Sequence, residues 1–202
     1  NCTGGGGQTT TISVQVNAAE DDAEEYRSDV GGEPVGKMDV TSSDLELIFD
    51  GEPQYVGMVF RNVQIPQGAT VTNAYVQFTV DALKSGVTDA AITLEVYGAK
   101  EATVDAFTED PFSISSHPPT TATVTWNPPP SVAVGDAGPA EQTPDISAII
   151  EEIVGQAGWM PGNNIMVVVT GDVSQTVDMN REMESYDGDP AEIGRASCRE
   201  RV

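Results

Sequence analysis

Residues 54–80, QYVGMVFRNVQIPQGATVTNAYVQFTV, alternate apolar and polar side chains in two blocks. This pattern commits the region to β structure, because period two over several residues marks a half-buried strand. Val56, Met58 and Phe60 share one side of the first block, and Ala74, Val76, Phe78 and Val80 share one side of the second. Between the blocks stands Ile65-Pro66-Gln67-Gly68. Proline presets φ for the second position of a turn and glycine suits the fourth, so the stretch is predicted to be a hairpin. Its other side carries Tyr55, Val59 and Arg61 from the first strand and Tyr75, Gln77 and Thr79 from the second.

The remaining segments repeat the β signal. Alternation over Thr9–Asn17, Asp44–Phe49, Ala91–Gly98 and Thr121–Trp126 predicts further strands, the last stopped by Asn127–Pro130 because proline cannot donate to a ladder. Ile165–Thr170 is nearly all apolar and reads as a central strand covered on both faces; Glu182–Tyr186 reads as a short strand. One helix is predicted over Pro144–Gln156. Thr143 is placed as its N-cap, and Ile146, Ile149, Ile150, Ile153 and Val154 form one apolar stripe. Many short strands with a single covering helix near 144–156 predict an all-β fold, an antiparallel β-sandwich of jelly-roll-like form. Trp126 and Trp159 are both expected in the core.

The two ends read differently from the middle. Residues 192–202, EIGRASCRERV, resemble the read-through translation of a sequencing adapter, as in a fragment assembled from environmental sequence. They are expected to be a non-native, irregular tail, with Cys198 not a natural residue and the domain at 10–191 lacking its last strand. Residues 1–9, rich in glycine, are expected to be a flexible linker. Cys2 ahead of the glycine run resembles a bacterial lipoprotein anchor as well as a plain linker, and no internal disulfide is inferred.

Charge removes several classes of function. With 32 acidic against 9 basic residues the formal charge is −23, which repels nucleic acid and anionic membranes. No apolar run approaches the length of a membrane span. His117 is the single histidine and sits among prolines; zinc-ligand spacing, a nucleophile elbow and a phosphate loop are all missing from the sequence, so no catalysis is expected. The acidic residues attract cations. Asp21, Asp22, Glu24, Glu25 and Asp44 are the candidate ligands for a structural calcium ion, with a solvated acidic rim as the other reading.

In order, DDAEE, SSDLEL, residues 54–80, TPDISAIIEEIV, GW and ESYDGD are similar to the jelly-roll modules that carry a DNRLRE motif and to related carbohydrate-binding modules of bacterial secreted and surface proteins, although the literal DNRLRE string does not occur here. The resemblance implies a secreted or cell-surface module of a larger extracellular protein. Its partner would be a polysaccharide or another extracellular polymer, and the module itself is expected to be monomeric. On the outer side of the predicted hairpin, Tyr55, Arg61, Tyr75 and Gln77 are the candidate carbohydrate-binding residues. Two readings stand open: a non-catalytic carbohydrate-binding module, or a structural or adhesive spacer without a small ligand. The charge suits a neutral glycan, or an acidic one bridged by calcium.

Overall fold

A computed structural model describes residues 9–29, 31–83, 91–172 and 181–201. The structure is an antiparallel all-β sandwich. Its strands are β1 (Thr9–Gln15), β2 (Asp22–Tyr26), β3 (Met38–Asp39), β4 (Asp44–Leu47), β5 (Phe49–Asp50), β6 (Glu52–Val63), β7 (Thr70–Gln77), β8 (Val80–Ala82), β9 (Leu94–Gly98), β10 (Val124–Trp126), β11 (Asn163–Gly171), β12 (Arg181–Glu184) and β13 (Arg195–Arg201). One helix, α1, spans Ser147–Val154. A seven-stranded sheet runs β10-β9-β11-β6-β2-β3, with β5 paired to β6; two three-stranded sheets run β1-β13-β7 and β4-β12-β8. Among the described residues no helix is long and apolar enough to cross a membrane.

The main core lies between the large sheet and the two small ones. Val56, Met58 and Phe60 of β6 meet Ala74 and Val76 of β7, Leu45 and Leu47 of β4 and Met183 of β12 in one cluster that α1 closes with Ile149, Ile150 and Ile153. Trp126 stacks on Phe78 with ring centroids 5.5 Å apart, and the Trp159 indole N–H donates to the Ile65 carbonyl at 2.8 Å. Both tryptophans are buried.

A second, smaller core occupies part of the outer face of the large sheet. There Ala23, Val59, Met166 and Val168 pack under Val104, Phe107 and Ile114 of the connection between β9 and β10. β6 and β11 are therefore covered on both sides, which is why Ile165–Val169 reads as an unbroken apolar run. Gly57 makes this packing possible: a Cβ there would stand 2.6 Å from Phe107 Cζ and 3.0 Å from Ile114 Cδ1.

Several expectations are corrected. β6 and β7 are strands, but they are not a hairpin. β6 pairs with β2 and β11, while β7 pairs with β13 in another sheet. The turn between them is real but shifted by one residue: the Ala69 N–H donates to the Pro66 carbonyl, and Gly68 takes the positive φ of 68°. Burial explains the crossing, since a connection between two layers lets both inner rows reach the same core.

The helix begins at Ser147 rather than Pro144. Residues ahead of it serve β7 instead. Thr143 Oγ1 accepts from the Val76 N–H at 3.0 Å, and Asp145 Oδ1 accepts from the N–H groups of Ala74 and Ser147. The N–H groups of Thr143 and Ile146 donate to β7 carbonyls, so this segment covers an edge that would otherwise be open.

Residues 195–201, expected to belong to an irregular tail, form a regular strand. β13 pairs along its whole length with β1, from Thr9↔Arg201 to Gln15↔Arg195, and on its other side with β7. The domain thus has a strand in the place expected to be vacant, and Cys198 is buried in the core. Backbone ladder bonds depend little on side-chain type, which is how a sequence without apolar alternation still fills the position. Cys2 and the rest of residues 1–8 lie outside the described residues.

Candidate functional site

The loop that forms the second core leaves the rest of the outer sheet face open. β9 directs Glu95 and Tyr97 outward because Leu94 and Val96 face the main core. β11 brings Thr170 opposite Glu95, β6 adds Tyr55, and Arg27 follows β2. Ser115, His117 and Pro119 of the covering loop form one wall, and Thr120 and Thr123 extend it. Together they enclose an open cleft of about 350 Å³.

Arg27 organises the floor of this cleft. Its guanidinium lies 4.4 Å above the centroid of the Tyr55 ring, a cation–π geometry, and its Nη1 donates to Thr170 Oγ1 at 2.7 Å and to the Gly171 carbonyl at 2.6 Å. Burial pushes the Tyr97 phenol above its ordinary acidity range, with Tyr55 adding to the effect, so Tyr97 keeps its proton as a donor. At the rim, His117 Nδ1 contacts the Glu101 carboxylate.

The four residues expected to bind carbohydrate do not form one surface. Tyr55 and Arg61 lie on the outer face of the large sheet, since Tyr55 packs on the second core. Tyr75 and Gln77 belong to β7, whose neighbouring residues Ala74 and Val76 point into the main core from the opposite layer. Gln77 is engaged with Gly138 and Gln142. The reason is the misread hairpin: side chains on one side of two separate sheets do not share a floor. Tyr97 and Glu95 carried a usable signal, since both alternate with Leu94 and Val96 in a strand the sequence predicts. Arg27 and Thr170 carried none, because only the order of the strands brings them there.

The five candidate metal ligands also separate. Asp21 through Tyr26 are all buried, and Asp22–Tyr26 of this acidic run form β2 within the large sheet. Asp21 bonds Arg61 Nε at 2.6 Å. Glu25 turns to the outer face and accepts the N–H groups of Ile114 and Ser115 at 2.9 and 2.8 Å, pinning the covering loop. Asp22 and Glu24 pair with Met58 and Val56 and so face inward. Asp22 accepts the Tyr186 N–H at 3.0 Å. Glu24 Oε1 accepts the Glu46 N–H at 2.8 Å and Gln54 Nε2 at 2.6 Å.

Asp44 joins a different group. Glu46 follows it on the same side of β4, and Glu182 of β12 stands directly opposite Glu46 in the ladder. One carboxylate oxygen from each of Asp44, Glu46 and Glu182 lies within 4.8 Å of the other two, an arrangement that can hold a metal ion. Glu46 was legible as the residue two beyond Asp44; Glu182 was not, because strand pairing is not written in the sequence.

Burial governs the acidity of this side of the molecule. It pushes Asp22 up to about 7, with Asp187 and Asp21 adding to the rise against the opposing Tyr186 hydrogen bond. It pushes Glu184 to about 7 as well, helped by Asp81 and Asp189. Glu24 is held well above the usual carboxylate range by burial and then by the Glu46 carboxylate.

The Asp21–Arg61 pair allows a direct stability test. Asp21 is fully buried, whereas Arg61 is partly exposed. Arg61→Ala leaves the carboxylate without its ion-pair partner and should lower the unfolding free energy by about 2–3 kcal/mol in urea titrations. Adding Asp21→Asn should restore part of the loss, a coupling that a double-mutant cycle reads directly.

No protein-family model matches the chain, and no curated protein matches it.

Proposed function

We propose that this chain is a non-catalytic carbohydrate-binding module of a bacterial secreted or cell-surface protein, and that the cleft lined by Tyr55 and Tyr97 is its glycan site. One observation carries the reading: an open cleft whose volume falls in the range of small-ligand sites, with two tyrosines, threonine hydroxyls and one carboxylate on a rigid sheet. Sugars present apolar ring faces and paired hydroxyls, which such a floor can meet with aromatic side chains and hydrogen-bonding groups. The resemblance to jelly-roll surface modules supports the same reading. Arg27 is already stacked and hydrogen-bonded, Glu95 is exposed, and the chain carries −23, so a neutral glycan fits better than a uronate.

The reading includes a calcium ion held by Asp44, Glu46 and Glu182. Calcium sits 2.3–2.6 Å from each oxygen, so ligands on opposite sides of one ion are about 5 Å apart. The spread of 4.8 Å fits this sphere. An all-carboxylate set suits a hard cation rather than zinc. Nearby, fully buried Gln54 binds Glu24 and the Glu46 carbonyl through Nε2, while its Oε1 has no hydrogen-bond partner among the described residues.

A glycan array spanning neutral and acidic polysaccharides, followed by titration calorimetry, tests the proposal. Tyr97→Ala should weaken the best ligand at least about tenfold, roughly 1.4 kcal/mol, with no change in the far-ultraviolet spectrum. The spacer reading is favoured by one feature, the internal satisfaction of Arg27 by Tyr55, Thr170 and Gly171. It predicts an empty array, and that result would overturn the glycan site.

A further inference from the structure

The fit of β13 is good in its backbone and poor in its side chains. Its inward row is Ala196, Cys198 and Glu200, which lie opposite Val14, Ile12 and Thr10 of β1 and opposite Val76, Ala74 and Val71 of β7. The flanking rows belong largely to the main core. Beneath Ala196 and Cys198 an apolar cavity of about 10 Å³ remains, walled by Phe60, Val63, Ile150 and Ile165 among others. One position on, Glu200 is 4% exposed, and its Oε2 has no hydrogen-bond partner among the described residues.

A void and an orphaned carboxylate are separate defects with one origin. Small residues forfeit contacts that larger aliphatic groups would make, and a buried acceptor without a donor is destabilising. The outward side of β13 shows the reverse. Arg195 and Arg199 are exposed on a chain of strongly negative charge, where basic residues are favourable. Sheet, core and charge thus agree on what the position calls for, and β13 meets only part of it.

We propose that the space between β1 and β7 is a strand-accepting slot. Its fitting occupant is an extended segment with large aliphatic side chains at the three inward positions and basic residues between them, and Arg195–Arg201 is a weak occupant that such a segment displaces. Main-chain bonds to two antiparallel edges supply affinity, and the three inward pockets supply selectivity. The rest of the sandwich does not depend on β13 for its pairing, because the large sheet and the β4-β12-β8 sheet are closed without it.

The test uses the full chain and a labelled peptide, RVSIRVR, in the register of residues 195–201. A peptide with the chain's own sequence over 195–201 is the control. After long incubation the aliphatic peptide should bind at least tenfold more tightly by fluorescence anisotropy. Amide exchange should then show lost protection at 195–201 with β1 and β7 still protected. A chain carrying Ala196→Val, Cys198→Ile and Glu200→Val should melt on the order of 5–10 °C higher and no longer take up the peptide. Glu200→Val alone should shift the melt in the same direction. Equal binding of the two peptides, no binding of either, or substituted chains that melt no higher would each overturn the slot.

Discussion

Lowering the pH from 8 to 5 should raise the stability of this protein, the opposite of what acidification does to most domains. Asp22 moves from an ordinary 3.8 to about 7 because it is buried. Between those two values the folded state binds a proton that the unfolded state does not. Its contribution is therefore full below the unfolded value and is lost as pH rises through about 7. At about 1.4 kcal/mol per pH unit, the full shift of Asp22 corresponds to on the order of 4 kcal/mol, of which roughly 2.5–3 falls between pH 8 and 5. Glu184 at about 7 and the raised Glu24 act with the same sign. Glu152 acts against them, held down to about 2 by Lys100 and the N–H groups of Thr121 and Ala122, so its contribution fades as pH falls below the ordinary glutamate range. A maximum between roughly pH 4.5 and 6 follows. Urea denaturation at half-unit intervals reads it, and Asp22→Asn should flatten the slope between pH 5 and 8. A stability that rises steadily from pH 5 to 8 would rule the argument out.

Millimolar calcium at pH 7.5 should raise the thermal midpoint by about 5–15 °C, corresponding to ion at 100–1,000 times its dissociation constant. One oxygen from each of three carboxylates lies within 4.8 Å of the others, so a single divalent cation can bind all three. The substitutions Glu46→Gln and Glu182→Gln separate this from a general salt effect. They should abolish the response to calcium while leaving the response to sodium chloride unchanged. Magnesium should be much weaker, since it demands a shorter and more regular sphere. Calcium and protons compete for the Glu24–Glu46 region, so the calcium response should shrink at pH 5. A melt indifferent to calcium and chelator would exclude the ion.

What the chain revealed in advance follows the reach of each signal. Alternation is local, and it located most of the strands and the inner rows of β6, β7 and β9. An unbroken apolar run marked Ile165–Thr170 as doubly covered, and both tryptophans read as core. Partner choice is not local. β6 and β7 are neighbours in sequence and read as a hairpin, yet each satisfies its edges elsewhere. That one misassignment placed Tyr75 and Gln77 on one face with Tyr55 and Arg61, whereas they lie on different sheets. Composition misled at Asp22-Ala23-Glu24-Glu25, where acids suggest solvent. Backbone N–H groups and the Gln54 amide satisfy several of these carboxylates within the fold, which only the folded arrangement can show. β13 is the reverse case: no side-chain pattern announced it, and backbone pairing on two edges holds it in place.

The absence of a side chain at Gly57 has a consequence for evolution. Phe107 and Ile114 rest on that bare stretch of backbone, and the same loop carries Ser115, His117 and Pro119 to the cleft. Residue 57 therefore acts as a spacer beneath the loop that walls the cleft, without itself lining the cleft. Related chains with a larger residue there would carry a raised wall and a roomier cleft on the same sheet. Ligand size could then drift through one inconspicuous position, with every cleft residue unchanged.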